Sequence, residues 1–110
     1  MAYICNMIFI ETPIFSREIK KVLSDEEYHK LQISIIFRPD QGKIIPGSNG
    51  LRKLRWKIPG KGKRGGMRII YYWDEPDTIY MIFPYKKVQK EDLTKDQIRK
   101  LSKVVRRWLK

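Results

Sequence analysis

Hydrophobic and polar positions divide the chain into a few clear periods. "YICNMIFI" is rich in β-formers and predicts a strand near 3–10. In "TPIFSREIKKVL", Thr12 is placed to cap a helix and Pro13 fits its first position. Phe15, Ile19, Val22 and Leu23 then share one helical face. Ser24 and Glu27 form a capping box for a second helix, with acids at its positive end. Tyr28, Leu31, Ile35 and Ile36 continue as a stripe until Arg38, where Pro39 ends it. The two helices form an αα-hairpin.

"PDQGK" and "PGSNG" next bracket a loop, and beyond it the period changes to two. "LRKLRWKI" alternates, "MRIIYYW" is β-branched and aromatic, "DEPD" is a turn, and "TIYMIFPY" is apolar on both faces. The last of these strands is expected at the centre of the sheet, because both its faces demand burial. Finally, Ile98, Leu101, Val104, Val105, Trp108 and Leu109 form one stripe of a helix otherwise covered with basic residues. The expected order is β-α-α-β-β-β-α, an α+β fold in which helices pack on an antiparallel-rich sheet. With 110 residues and no linker or repeat, residues 1–110 are expected to form a single domain.

Charge sharpens this outline. The formal net charge is +12, and it is unevenly spread. Residues 1–40 carry a net −1, residues 41–73 carry nine basic residues and no acid, and residues 86–110 carry +7. A single basic surface is implied, and nucleic acid is its commonest partner. No apolar run approaches the roughly 18 residues of a membrane span, and the N-terminus lacks the basic start of a signal peptide. Cys5 is the single cysteine, which excludes an internal disulfide and a zinc cluster. It reads as a small buried hydrophobe in a cytoplasmic protein. No metal or cofactor is expected.

"GKGKRGG" at 60–66 satisfies the dinucleotide pattern G-x-G-x-x-G, yet it precedes a strand where that motif requires a helix. No acid falls about 20 residues onward to hold a ribose. A P-loop is excluded because Gly65 is followed by Gly66 instead of Lys-Ser/Thr. What remains is a pliable cationic hairpin loop, in which Lys61, Lys63 and Arg64 are suited to a phosphate backbone.

The strand before the loop is more telling. Alternation places Lys53, Arg55 and Lys57 on one face, with Leu54, Trp56 and Ile58 on the other. Arg68, from the next strand, can join the cations. Like charges on adjacent positions repel, so this row favours a site shaped for a polyanion. Cleaving RNA internally requires a base for the 2′-hydroxyl, charge stabilisation at phosphorus and an acid for the leaving oxygen. Only one histidine, His29, is present, and it lies far in sequence from the basic row. A lysine crowded by arginines can serve as base, and arginine clamps phosphate bidentately. Lys53 fits the first role, and Arg55 and Arg68 fit the second.

The span "GLRKLRWKIPGKGKRGGMRIIYYW", followed by "YMIFPYKK" and "EDL", resembles the HigB-like branch of the RelE/ParE toxin superfamily. The resemblance covers nearly the whole chain. It implies the RelE-like fold and a toxin that cleaves mRNA in the ribosomal A site, held in check by an antitoxin encoded beside it. The implied partners are mRNA, the ribosome with its RNA, and a DNA-binding antitoxin, with no membrane. The family's paired basic residues fall on Lys53 and Arg55, the second being Arg where Lys is usual. Its strand-opening arginine falls on Arg68, and its basic residue after the last strand falls near Lys87. The RelE tyrosine near the C-terminus has no counterpart, since Thr94 and its neighbours occupy that region, and Tyr85 and Tyr72 are further candidates. Arg52, Lys57, Lys61, Lys63 and Arg64 are the expected RNA-docking residues. A ParE-like toxin that binds a topoisomerase and a non-enzymatic RNA-binding module are the alternative readings.

Overall fold

The computed structural model describes residues 7–60, 66–87 and 92–108, with Trp108 described by its backbone alone. Strand β1 (Ile8–Glu11) leads into helices α1 (Pro13–Val22) and α2 (Asp25–Phe37). Strands β2 (Lys43–Ile44), β3 (Arg52–Trp56), β4 (Met67–Asp74) and β5 (Thr78–Lys86) follow, and helix α3 (Lys95–Trp108) comes last. The fold is α+β, with a five-stranded sheet in the order β1-β5-β4-β3-β2. All pairings are antiparallel except β1 with β5. Strand β5 is an interior strand between β1 and β4, as its two apolar faces require, while β4 takes the centre that the sequence pattern assigned to β5. The two-residue β2 lies within what reads as a loop, too short to leave a periodic signal.

Both helix starts obey local rules. Thr12 Oγ1 accepts from Phe15 N at 3.0 Å, and Pro13 occupies the first turn of α1. Ser24 Oγ accepts from Glu27 N at 3.1 Å, and three acids line the first turn of α2. At the far end of α2 the Gln41 side chain donates to the carbonyls of Ser34 (2.8 Å) and Arg38 (3.1 Å), adding to the backbone N–H groups of Arg38 and Gln41 that these carbonyls also accept.

The sheet has a core on each side. Phe15, Ile19, Leu23, Leu31 and Ile35 of the helical hairpin pack on Leu54, Ile58, Met67, Ile69, Tyr71, Ile79 and Met81. The opposite side gathers Ile45, Leu51, Ile70, Tyr80, Ile82, Tyr85 and Val105, with Ile98 and Leu101 beside them. Helix α3 therefore covers the face that carries Lys53 and Arg55, which sequence alternation left open. An apolar stripe states that a helix must pack, and both sheet faces offered apolar partners. Ser102 is buried on α3 although the hydrophobic pattern passes over it. The Asn49 amide reaches Ser102 Oγ at 2.8 Å and also faces the Arg106 guanidinium. A guanidinium only donates, so the Asn49 oxygen is the atom turned toward it. This contact ties the 45–51 turn to α3.

Strand β5 contains a bulge. Ile70 pairs with Phe83 and Tyr71 with Met81, so Ile82 is an extra residue on β5. Its carbonyl accepts from Thr12 Oγ1 at 2.7 Å, so one threonine both caps α1 and satisfies the bulge.

The tyrosines make the fold sensitive to alkali. Tyr28, Tyr71 and Tyr85 are each held above the ordinary tyrosine value, in every case chiefly by burial. Glu11 adds to the effect at Tyr28 and Asp92 at Tyr85. The unfolded chain therefore releases these protons first. This contribution to stability is complete below about pH 10 and is lost as pH rises through the folded values. Urea midpoints are expected to fall between about pH 9 and about pH 11, with less of a fall in a Tyr28→Phe variant.

Candidate nucleic-acid interface

Register brings the basic residues together. Arg55 on β3 pairs with Arg68 on β4, and Arg68 pairs with Tyr85 on β5. Cross-strand partners point to the same side of a sheet, so these three make one row across the central strands. The next row on that side is Lys43, Lys53, Ile70 and Phe83. Lys43 enters through β2, so its place in the row was hidden in a segment read as loop. Lys57 continues the same alternation one residue past β3 and is exposed. Lys87 is exposed just beyond β5, and its N–H donates to the Gly66 carbonyl at 3.1 Å, which returns the chain to the start of β4 near Arg68.

The members of this group differ in burial. Arg55 is exposed, whereas Arg68 is only 8% exposed. The Arg68 guanidinium makes a long 3.4 Å contact to the Met67 carbonyl, and no carboxylate among the described residues pairs with it. Desolvating a cation without an opposing charge is costly, so the fold alone gives no reason for this arrangement. Lys53 Nζ donates to Asp92 Oδ1 at 2.8 Å. That contact and the charges of Lys53 and Arg68 hold the Asp92 carboxyl below the usual carboxylate range. A pair this exposed contributes at most about 1 kcal/mol to stability, and its interest is positional. It places an anion where cations from two strands can reach it. Sequence spacing gave no sign of Asp92, since it lies 39 residues from Lys53.

Tyr85 occupies the third place in the arginine row. Its ring stacks on Phe83 at a centroid separation of 6.1 Å, and its hydroxyl is buried without a hydrogen-bond partner. Burial and Asp92 raise its pKa while Arg68 opposes them. At neutral pH it is therefore a donor and not a base.

Other candidates are placed elsewhere. Arg52 has the parity of Leu54, away from the row, and its guanidinium donates to the carbonyls of Asp40 (3.0 Å) and Gly42 (2.8 Å). Tyr72 packs beside Tyr80 at 6.4 Å. His29 is exposed on α2. Thr94 caps α3 in a reciprocal box, donating its N–H to Gln97 Oε1 (2.9 Å) and accepting from Gln97 N (3.1 Å). Lys61, Lys63 and Arg64, the cationic loop, lie outside the described residues. Among the described residues no helix is long and apolar enough to cross a membrane.

A free-state structure of a double-mutant form of the E. coli toxin RelE superposes on this chain with a TM-score of 0.55. The match covers 78% of this chain and 88% of that one at 16% sequence identity. The chain thus has a RelE-like fold. No protein-family model matches it.

Proposed function

We propose that the protein is the toxin of a toxin–antitoxin system, an endoribonuclease that cleaves mRNA on the ribosome by attack of a 2′-hydroxyl on the adjoining phosphate. The observation that carries this reading is the Arg55–Arg68 pair across β3 and β4, with Lys53 one row away and Arg68 buried without a carboxylate partner among the described residues. Such a cluster suits an anion that arrives from outside. The RelE-like fold and the HigB-like sequence pattern support it.

In this reading Arg55 and Arg68 hold the charge that develops on the phosphoryl oxygens, where preorganised cations are most effective. Lys53 and Lys87 manage protons or add charge at the rim. Lys57, together with the loop residues Lys61, Lys63 and Arg64, docks RNA through its backbone, while Arg52, turned to the other side of the sheet, holds the turn before β2. The antitoxin is a separate protein partner, and the compartment is the cytoplasm, where mRNA and ribosomes are found.

Primer-extension mapping of transcripts after brief induction tests the proposal. New 5′ ends in register with codons are expected, and they should vanish when translation initiation is blocked. Growth arrest without new ends would instead favour a topoisomerase-binding toxin. Salt-sensitive RNA binding without cleavage, even on translating ribosomes, would mark a binding module.

A further inference from the structure

One row of the sheet joins a hydroxyl without an acceptor to a buried cation without a carboxylate among the described residues. Tyr85 is 6% exposed, and its hydroxyl meets no partner in a cluster that includes Ile70, Ile82 and Val105. Phenylalanine would fill that cluster equally well and avoid a cost of about 1–3 kcal/mol for a buried unpaired hydroxyl. Opposite Tyr85 in register is Arg68, also buried and also without a carboxylate among the described residues. Asp92, bound to Lys53, acts electrostatically on Tyr85, and the Arg68 charge adds a small part to what keeps its carboxyl ionised. Trp56 Nε1 is likewise buried without a partner, but it belongs to the opposite core, against α1 and α2, where no cation row is present. Among the described residues, Tyr85 is where an unpartnered donor adjoins a buried cation that has no ion pair. Local rules are most often broken in this way where a ligand completes the structure.

We infer that the Tyr85 hydroxyl is a substrate-binding donor, which together with the Arg68 guanidinium receives a non-bridging oxygen of the RNA phosphate. This rests on the ribonuclease reading above. As RNA enters, its phosphate takes over the charge contact that Asp92 makes with Lys53, and the opening gives it access to the buried hydroxyl. The ring stacked on Phe83 fixes the position of the hydroxyl oxygen. A donor fixed beforehand needs no reorganisation as charge grows on phosphorus. The role involves no change in the protonation of Tyr85.

Tyr85→Phe tests the inference with three readouts. The variant is expected to be as stable as the wild type or more so in urea, because the orphan hydroxyl is gone. Single-turnover cleavage of ribosome-bound mRNA is expected to slow by about 10- to 100-fold, with KM changed by less than about 2-fold. Inorganic phosphate, titrated by NMR in the absence of ribosomes, is expected to bind several-fold more weakly. Wild-type cleavage rates in Tyr85→Phe would overturn the inference. So would equal phosphate affinity in the two proteins, whatever the cleavage. If the wild type cut no RNA on ribosomes, the ribonuclease reading would fail. The phosphate comparison would then still decide the role of Tyr85.

Discussion

Arg68→Met is expected to lose RNA cleavage by about 100- to 1,000-fold while folding at least as stably as the wild type. The two effects share one cause. Arg68 sits 8% exposed with no opposing carboxylate among the described residues, so its charge burdens the folded state. Methionine keeps much of the aliphatic stem and removes the charge, which is expected to raise stability by about 1 kcal/mol or more. The same removal strips the phosphate of a planar, two-pronged donor held rigidly on a central strand. Arg68→Lys separates charge from geometry. It keeps the cation, loses the fork, and is expected to fall between the other two proteins in rate. Ribosome-bound cleavage rates and urea midpoints on the three proteins check this. Wild-type cleavage by Arg68→Met would remove the proposed role of the residue.

The largest loss of stability is expected at Tyr71. The side chain is fully buried in the core under α1 and α2. Its hydroxyl donates to the Pro39 carbonyl at 2.7 Å and accepts from Gly42 N at 2.9 Å. Gly42 lies so close that a Cβ there would meet Tyr71 Cε1 at 2.9 Å, so the turn requires glycine at this point. Tyr71→Phe leaves the N–H and the carbonyl without that partner and is expected to cost about 1–3 kcal/mol. Tyr71→Ala adds a cavity and is expected to cost about 3–5 kcal/mol in all. Urea denaturation measures both. Because the turn leads into β2 and its carbonyls also hold Arg52, Tyr71→Phe is expected to loosen the β2 edge, where Lys43 joins the cationic row. Hydrogen exchange at Lys43 and Ile44 reports that loosening.

Much of this architecture is legible in the amino-acid sequence because the governing interactions are short-range. Thr12 and Ser24 cap their helices through contacts three residues long, and alternation alone puts Lys53 and Arg55 on one face of β3. The interior place of β5 follows from its two apolar faces. What escapes a linear reading depends on contacts between distant segments. The stripe on α3 says that the helix packs, yet Ile70 and Ile82 on one face compete with Ile69 and Met81 on the other. A two-residue strand leaves no period, so Lys43 is hidden. Asp92 finds Lys53 across 39 residues, and nothing near either residue announces the meeting. The unpaired Tyr85 hydroxyl is equally invisible, because only the assembled fold shows what fails to surround it.

The extra residue Ile82 sets the phase of β5. Ahead of it, Tyr80 shares the side of α3, and that side belongs to even-numbered positions. Beyond it, Phe83 and Tyr85 take over, and the side passes to odd-numbered ones. A strand that kept Ile82 but paired it in the regular ladder, without the bulge, would hold the earlier phase to its end. It would turn Pro84 and Lys86 toward the arginines and send Tyr85 under the helical hairpin. The bulging of Ile82, anchored by the threonine that starts α1, thus determines which half of "FPYK" meets Arg68.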